Sequence, residues 1–577
     1  MGDYCRRLFK AWRENDKSEE KVQTGDLDQD RFSWKTLFKF AGPGMLVSIA
    51  YLDPGNLLSD IQSGAAFNYR LIWVLVTATF LGLLMQVLAA RLGTVTGQHL
   101  ALLCRAEYGN RTFTTICLWI VTEIAIIASD IPEVVGSAFG LLLLFDIPLW
   151  AGVLMVSANT FILLGIQYFG VRKLEALITI LVGVIGVCFL VEAFITPVKW
   201  GVPSCPTDDE WEELVTNNCT TSDIDYCPEN FCGGVVGGFV PRMSPDTKML
   251  LLATSLIGAV VMPHNLYLHS ALVLTRHIDR TNPIHVKWAD IYNTIECAFS
   301  LTISCIINVA IIVVAASVFF PSESNGYNVV QHLDEIGFLD ASDLLATIGG
   351  SAKILFGIAL LASGQSSTIT GTYAGQFVME GFLDIKIELW LRNLFTRAVA
   401  IVPSLVICLI AGTDGANTLI IVSSVILSFQ LPFALIPLLK FTSSSTTMGI
   451  HKNSKMMVIT CTALTVVVLT ANGFLVAMTI FESLVGWVRI VVGAVGFMVS
   501  ILYFSALGYL AWRPVHAALT STGSYDTLID DEVSRARMSV DLSPSVAHEE
   551  IPLDDHYPFD DDEEDDDEGS PLDLMSD

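Results

Sequence analysis

Apolar residues run through this chain in long blocks separated by short polar links. Twelve blocks of spanning length recur, at 41–66, 71–93, 113–138, 149–168, 174–197, 247–275, 291–319, 342–368, 388–411, 416–439, 456–479 and 485–512. Each is near the ~20 residues that a helix needs to cross hydrocarbon. Helices are required there, because lipid offers no partner to an open backbone group. The pattern predicts an all-α polytopic membrane protein with a body over 41–512, preceded by an arm over 1–40.

The polar links say which way the body faces. Links after even-numbered spans hold Arg105 and Arg111, Arg172 and Lys173, then Arg276, Arg280 and Lys287, then Lys386, then Lys440, Lys452 and Lys455. The short odd-numbered links hold little beyond Arg70, and the arm adds Arg6, Arg7, Lys10, Arg13, Lys17 and Lys21. The positive-inside rule then places both termini in the cytosol. The arm has no apolar core of the kind that marks a cleaved signal peptide.

Composition agrees and adds one complication. Hydrophobic residues make up 52% of the 577 and charged residues only 16%, yet the net charge is −27. The acidity is local. Residues 526–577 carry 20 Asp and Glu against Arg535 and Arg537, and residues 201–245 carry 8 against Arg242. The remaining body is close to neutral. This excludes a soluble acidic globule and a nucleic-acid binder, which would need a basic face. The tail over 513–577 is predicted to be an acidic, disordered cytosolic segment.

The link between spans 5 and 6, at 198–246, faces outside on this topology. It holds Cys205, Cys219, Cys227 and Cys232, which in an oxidising compartment are candidates for two disulfides in any of three pairings. Asn218-Cys219-Thr220 is a glycosylation sequon on the same link. A second sequon at Asn110 falls on the cytosolic side.

Two spans carry breakers. Span 1 reads Leu52-Asp53-Pro54-Gly55-Asn56, and span 6 reads Met262-Pro263-His264-Asn265. Proline removes a backbone donor and glycine adds freedom, so each helix must open. Open backbone at that depth is tolerated only where it lines a cavity or packs on protein. The breaks lie in the first span of each of two five-span units, 1–5 and 6–10. Paired interrupted helices are the pattern of an inverted-repeat transporter with its site at the midplane. Asp53, Asn56 and freed carbonyls near Leu52 and Ala259 offer oxygens, and Met262 offers a thioether. Oxygens alone suit Mg²⁺, Ca²⁺ or Na⁺, whereas a soft sulfur favours a transition metal such as Mn²⁺ or Fe²⁺. Taken singly, Met262 reads as packing and Asn56 as a helix cap.

Span 3 carries Glu123, Asp130 and Glu133. At about 100° per residue they lie about −20° and −80° from Glu123 and share a face. Three carboxylates cannot all ionise cheaply in a low-dielectric bundle, which suits proton carriage. Arg392 and Arg397 of span 9 are available to balance them. The bland reading is a structural ion-pair network. His264 and His269 follow the span 6 break on different faces and could carry a proton.

Together, Asp53-Pro54-Gly55-Asn56 and Met262-Pro263-His264-Asn265 resemble the Nramp family of proton-coupled divalent-metal transporters. So do Gly364-Gln-Ser-Ser-Thr-Ile-Thr-Gly-Thr-Tyr-Ala-Gly-Gln376 in span 8 and Gln430-Leu-Pro-Phe433 in span 10. The likeness runs over about 41–510. It implies a LeuT-type fold, a 5+5 inverted repeat plus two further helices. It also implies metal entry with protons toward the cytosol by alternating access, with no cofactor and no enzymatic activity. It implies that Asp53, Asn56, Met262 and the Ala259 carbonyl hold the metal, with Gln430 joining in some conformations. It assigns Asp130 and Glu133 to the proton route, with Arg392 or Arg397 as onward partner. The alternatives are a sodium-coupled small-solute symporter of the same fold and a membrane metal sensor. Tyr525-Asp-Thr-Leu528 resembles a sorting signal, so Tyr525 and Leu528 are candidates for binding cytosolic trafficking adaptors. Plasma membrane and endosomal, lysosomal or vacuolar membranes all stay open.

Overall fold

The computed structural model describes residues 22–23, 32–166, scattered positions between 180 and 194, 234–241, 243, 246–319, 336–342, 350–385, 389–483 and 486–515. All lie within the compact unit Met1–Ser521. Helix is the dominant element throughout. The end of the predicted arm forms α1 (Trp34–Phe40), capped by the Ser33 hydroxyl on Thr36 N–H. Predicted span 1 is two pieces, α2 (Pro43–Ser48) with a 3-10 turn over Ile49–Leu52, and α3 (Pro54–Phe67). Then follow α4 (Ile72–Thr96), the short α5 (Leu100–Tyr108), α6 (Phe113–Phe145) and α7 (Leu149–Ile166). Predicted span 5 lies mostly outside the described residues.

Predicted span 6 is also two pieces, α8 (Thr247–Val261) and α9 (Pro263–Leu272). The second half continues with α10 (Pro283–Phe319), α11 (Gly350–Leu383), α12 (Leu389–Ile410) and α13 (Gly412–Ser443). Two further helices close the body, α14 (Lys455–Ser483) and α15 (Gly486–Trp512). Among the described residues, eight helical runs are long and apolar enough to cross a membrane. One of these, Pro54–Thr96, covers the second half of predicted span 1 and all of span 2.

Several helices run past the predicted spans; α6, for example, ends at Phe145 against a predicted 138. Predicted span 8 stops at 368, but α11 runs on to Leu383. The serines and threonines after Gly364 depress hydropathy without ending the helix. Their hydroxyls back-bond to their own backbone, Thr368 to the Gly364 carbonyl at 2.8 Å and Thr372 to the Thr368 carbonyl at 2.8 Å. Predicted span 7 starts at 291, but its helix begins at Pro283, a proline placed where a first turn tolerates it.

Burial sorts the helices. The stretch Thr247–Thr275 is almost wholly enclosed by protein, whereas Val491–Trp512 leaves nearly all its apolar surface open, as a lipid-facing helix must. Close approach at the centre is set by glycine. A Cβ on Gly136 of α6 would run into the Pro54 ring, and one on Gly258 of α8 would meet the Ser424 carbonyl of α13. The broken elements are therefore clamped between α6 and α13.

Candidate metal site at the two breaks

A proline inside or at the start of a helix strips the carbonyl four residues back of its usual donor. For Pro54 that carbonyl belongs to Ala50, and for Pro263 it belongs to Ala259. One side chain meets both. Asn56 Nδ2 donates to the Ala50 carbonyl at 3.0 Å and to the Ala259 carbonyl at 3.0 Å. It also donates to Asp53 Oδ1 at 2.7 Å. Three oxygens thus converge on an amide nitrogen that has only two hydrogens. Asn56 Oδ1, turned the other way, is buried without a partner among the described residues. Asp53 also caps α3, accepting Asn56 N–H at 2.8 Å.

The rest of the opened segment is held from both flanks. Ser304 Oγ of α10 donates to the Ser48 carbonyl at 3.2 Å, and Asn308 Nδ2 of the same helix donates to the Tyr51 carbonyl at 2.8 Å. Ser363 Oγ of α11 donates to the Leu52 carbonyl. The Leu52 carbonyl named from sequence thus accepts from α11, and it is the Ala50 carbonyl that meets Asn56 Nδ2. The signal for this was present: Ala50 stands four residues before Pro54 as Ala259 does before Pro263.

Met262 closes the apolar side of the cage, packed with Ala50, Ala125, Ala128 and Leu427. Asp53 is 1% exposed, Asn56 0% and Met262 2%, so the site is sealed from solvent in this conformation. Gln430 sits on α13 with its Oε1 buried; among the described residues that oxygen has no partner and no hydrogen bond joins Gln430 to the Asn56 cage. Among the described residues, no group of three or more His, Cys, Asp or Glu stands ready for a metal. The donor set at the breaks is of a different kind: one carboxylate, one amide, two carbonyls and one thioether.

The span 3 acids lie next to this cage. Pro132, between Asp130 and Glu133, is packed against Gly55. Arg397 Nη2 lies 3.0 Å from Glu133 Oε2 and 3.4 Å from Asp130 Oδ1. It also donates to the Thr368 carbonyl at 3.4 Å. All three ionic side chains are nearly inaccessible, so two acids share one buried cation. Glu123 stands apart. It is half-buried and its Oε1 accepts the Trp119 indole N–H at 3.2 Å. His269 Nδ1 lies 3.0 Å from Gln86 Oε1. Its Nε2 and the Nδ1 of buried His264 have no partner among the described residues.

The side chain of Arg392, Asn218, the four cysteines Cys205, Cys219, Cys227 and Cys232, and Tyr525 and Leu528 lie outside the described residues. The sequence analysis did not single out Asp60, one turn after Asn56 on α3. It is fully buried, and neither carboxylate oxygen has a hydrogen-bond partner among the described residues. Its signal was plain, a charge inside an apolar run.

Two helices broken at matching places, crossing through Asn56 and Ala259 at a polar centre, define a multi-pass membrane transport protein of the LeuT type rather than an enzyme. Residues 44–203 and 231–478 match the family described as natural resistance-associated macrophage protein-like. The chain is 44% identical over 510 residues to a rice protein named Metal transporter Nramp3, covering 85% of each. It is 42% identical over 539 residues to Metal transporter Nramp6 of Arabidopsis thaliana, covering 92% and 93%. Among solved structures it is similar to the Eremococcus coleocola manganese transporter, with 30% identity and a TM-score of 0.68. That match covers 83% of this chain and 94% of the other. The chain belongs to the Nramp family.

Proposed function

We propose that the protein carries a divalent transition-metal ion, Mn²⁺ or Fe²⁺, together with protons toward the cytosol by alternating access. The observation that carries this reading is the cage around Asn56 Nδ2. Its three oxygens, from Ala50, Asp53 and Ala259, converge where an amide now supplies positive hydrogens. A half-turn of that amide brings Oδ1 to the same point, and a cation can then replace the hydrogens. The set becomes four oxygens beside the Met262 sulfur, which suits a borderline metal better than Ca²⁺ or Mg²⁺. The names of the relatives point the same way.

The neighbouring Asp130–Glu133–Arg397 cluster supports proton movement. Among the described residues two acids meet one buried cation, Arg397, and a proton on one acid balances that trio. A metal arriving at Asp53 changes the field at this cluster through one packed layer, Gly55 on Pro132. Because the cage is sealed, exchange with either side requires the broken halves to move against α6 and α13.

Purified protein in liposomes with a pH-sensitive dye inside tests both parts. Mn²⁺ uptake should rise as the outer solution is acidified and should acidify the lumen. Mn²⁺ uptake with no lumenal acidification at any outer pH would remove the proton from the scheme. Complete inability to move Mn²⁺ or Fe²⁺ would remove the scheme itself.

A further inference from the structure

The proline argument applies a third time, in α13. Pro432 lies inside that helix and strips the Ser428 carbonyl of its helical donor. The replacement comes from α14, a helix outside the two five-span repeats. Asn472 Nδ2 donates to the Ser428 carbonyl at 2.9 Å, and Asn472 Oδ1 accepts the Ser428 hydroxyl at 2.8 Å. Asn472 is 1% exposed, so its amide is held away from bulk solvent and pairs with Ser428 through both its nitrogen and its oxygen. The next carbonyl, Phe429, accepts the Tyr503 hydroxyl of α15 at 2.8 Å. The following residue is Gln430. The same turn is also the surface against which the span 6 break is seated. A Cβ on Gly258, one residue before Ala259, would lie 2.6 Å from Ser428 N.

We propose that Asn472 is a positioning residue for metal transport: by standing in for the donor that Pro432 lacks, it holds the opened turn of α13 so that Gln430 can reach the metal cage. It touches neither the cage nor the metal. The proposal rests on the reading of Gln430 as a ligand, and it gives the two helices beyond the repeat a part in the reaction. Removing the amide leaves a buried carbonyl unpaired and lets the turn relax, which withdraws Gln430. The deficit should therefore appear in metal affinity and should run through Gln430.

Initial rates of Mn²⁺ uptake into proteoliposomes, at varied Mn²⁺, test this in N472A, Q430A and the double variant. N472A should raise KM about three- to tenfold with a much smaller change in Vmax. Q430A should do the same, and the double variant should be no worse than Q430A. Asn472→Asp keeps the volume and the Ser428 hydroxyl contact but loses the amide donor. It should reproduce the KM change even if the alanine variant fails to fold. Ser428→Ala, which keeps the carbonyl bond but removes the hydroxyl donor to Asn472, should raise KM less than N472D does. Wild-type KM in both N472A and N472D, or additive effects in the double variant, would overturn the proposal while leaving Gln430 in place. Wild-type KM in Q430A would remove Gln430 from the metal and this proposal with it.

Discussion

Asn56 is the residue on which the account turns. Its amide joins Ala50, Asp53 and Ala259, and its orientation decides whether the cage is filled by its own hydrogens or by a cation. Met262 then decides which cation. Met262→Ala should keep Mn²⁺ uptake but let Ca²⁺ compete. Uptake of Mn²⁺ measured against rising Ca²⁺ reads this directly, and unchanged discrimination would remove the sulfur from the argument. Arg397 carries a different burden. Removing one partner of a buried pair leaves charge uncompensated, at a cost of about 3–5 kcal/mol. Arg397→Ala should lower the thermal midpoint sharply, and adding Glu133→Gln should restore part of it. Equal midpoints for all three proteins would mean that the cluster is not buried as described. Asp53, Met262, Asp130 and Glu133 were readable in the sequence because charge, sulfur and proline are conspicuous in apolar runs. Span 9 was readable as the source of a balancing base, Arg392 or Arg397, but that Arg397 meets both acids was not, because it depends on how α12 packs on α6.

At the scale of the element, the first half-helix is held by its neighbour. Glu296 Oε1 of α10 accepts the backbone N–H groups of Gly42 at 2.5 Å, Gly44 at 3.1 Å and Met45 at 3.2 Å. Arg276 Nη2 donates to the Ala41 carbonyl at 3.1 Å, and the Phe40 and Tyr292 rings stack at 5.3 Å. Hydrogen bonds to a charged group contribute about 1.5–3 kcal/mol. Glu296→Ala should therefore speed amide exchange over residues 42–52 by about tenfold or more, as read by hydrogen–deuterium exchange. Unchanged exchange would mean that α2 is held by its apolar contacts alone. This docking was illegible in sequence, since the contact joins residues some 250 positions apart. The two breaks were legible, as each is written locally by one proline. The length of α11 was misread for the opposite reason, because polar residues that satisfy themselves on their own helix look like the end of a span.

At the scale of the molecule, hydropathy alone gave the membrane class, and the matched breaks gave the paired halves. The charge of −27 resolved into two segments, both largely beyond the described residues, on a body close to neutral. The chemistry rests on a few buried groups in that body. The central claim is that a metal ion replaces the hydrogens of Asn56 in a cage closed by Asp53. Direct Mn²⁺ binding to the purified protein, followed by isothermal titration or by loss of the free Mn²⁺ signal in electron paramagnetic resonance, tests it without requiring transport. Wild type and Asp130→Asn should bind Mn²⁺ with similar affinity, and Asp53→Ala should lose binding by a hundredfold or more, on the order of the 1.5–3 kcal/mol of a charged contact plus the lost ionic attraction. Binding of Mn²⁺ to a well-folded Asp53→Ala protein at wild-type affinity would contradict the account.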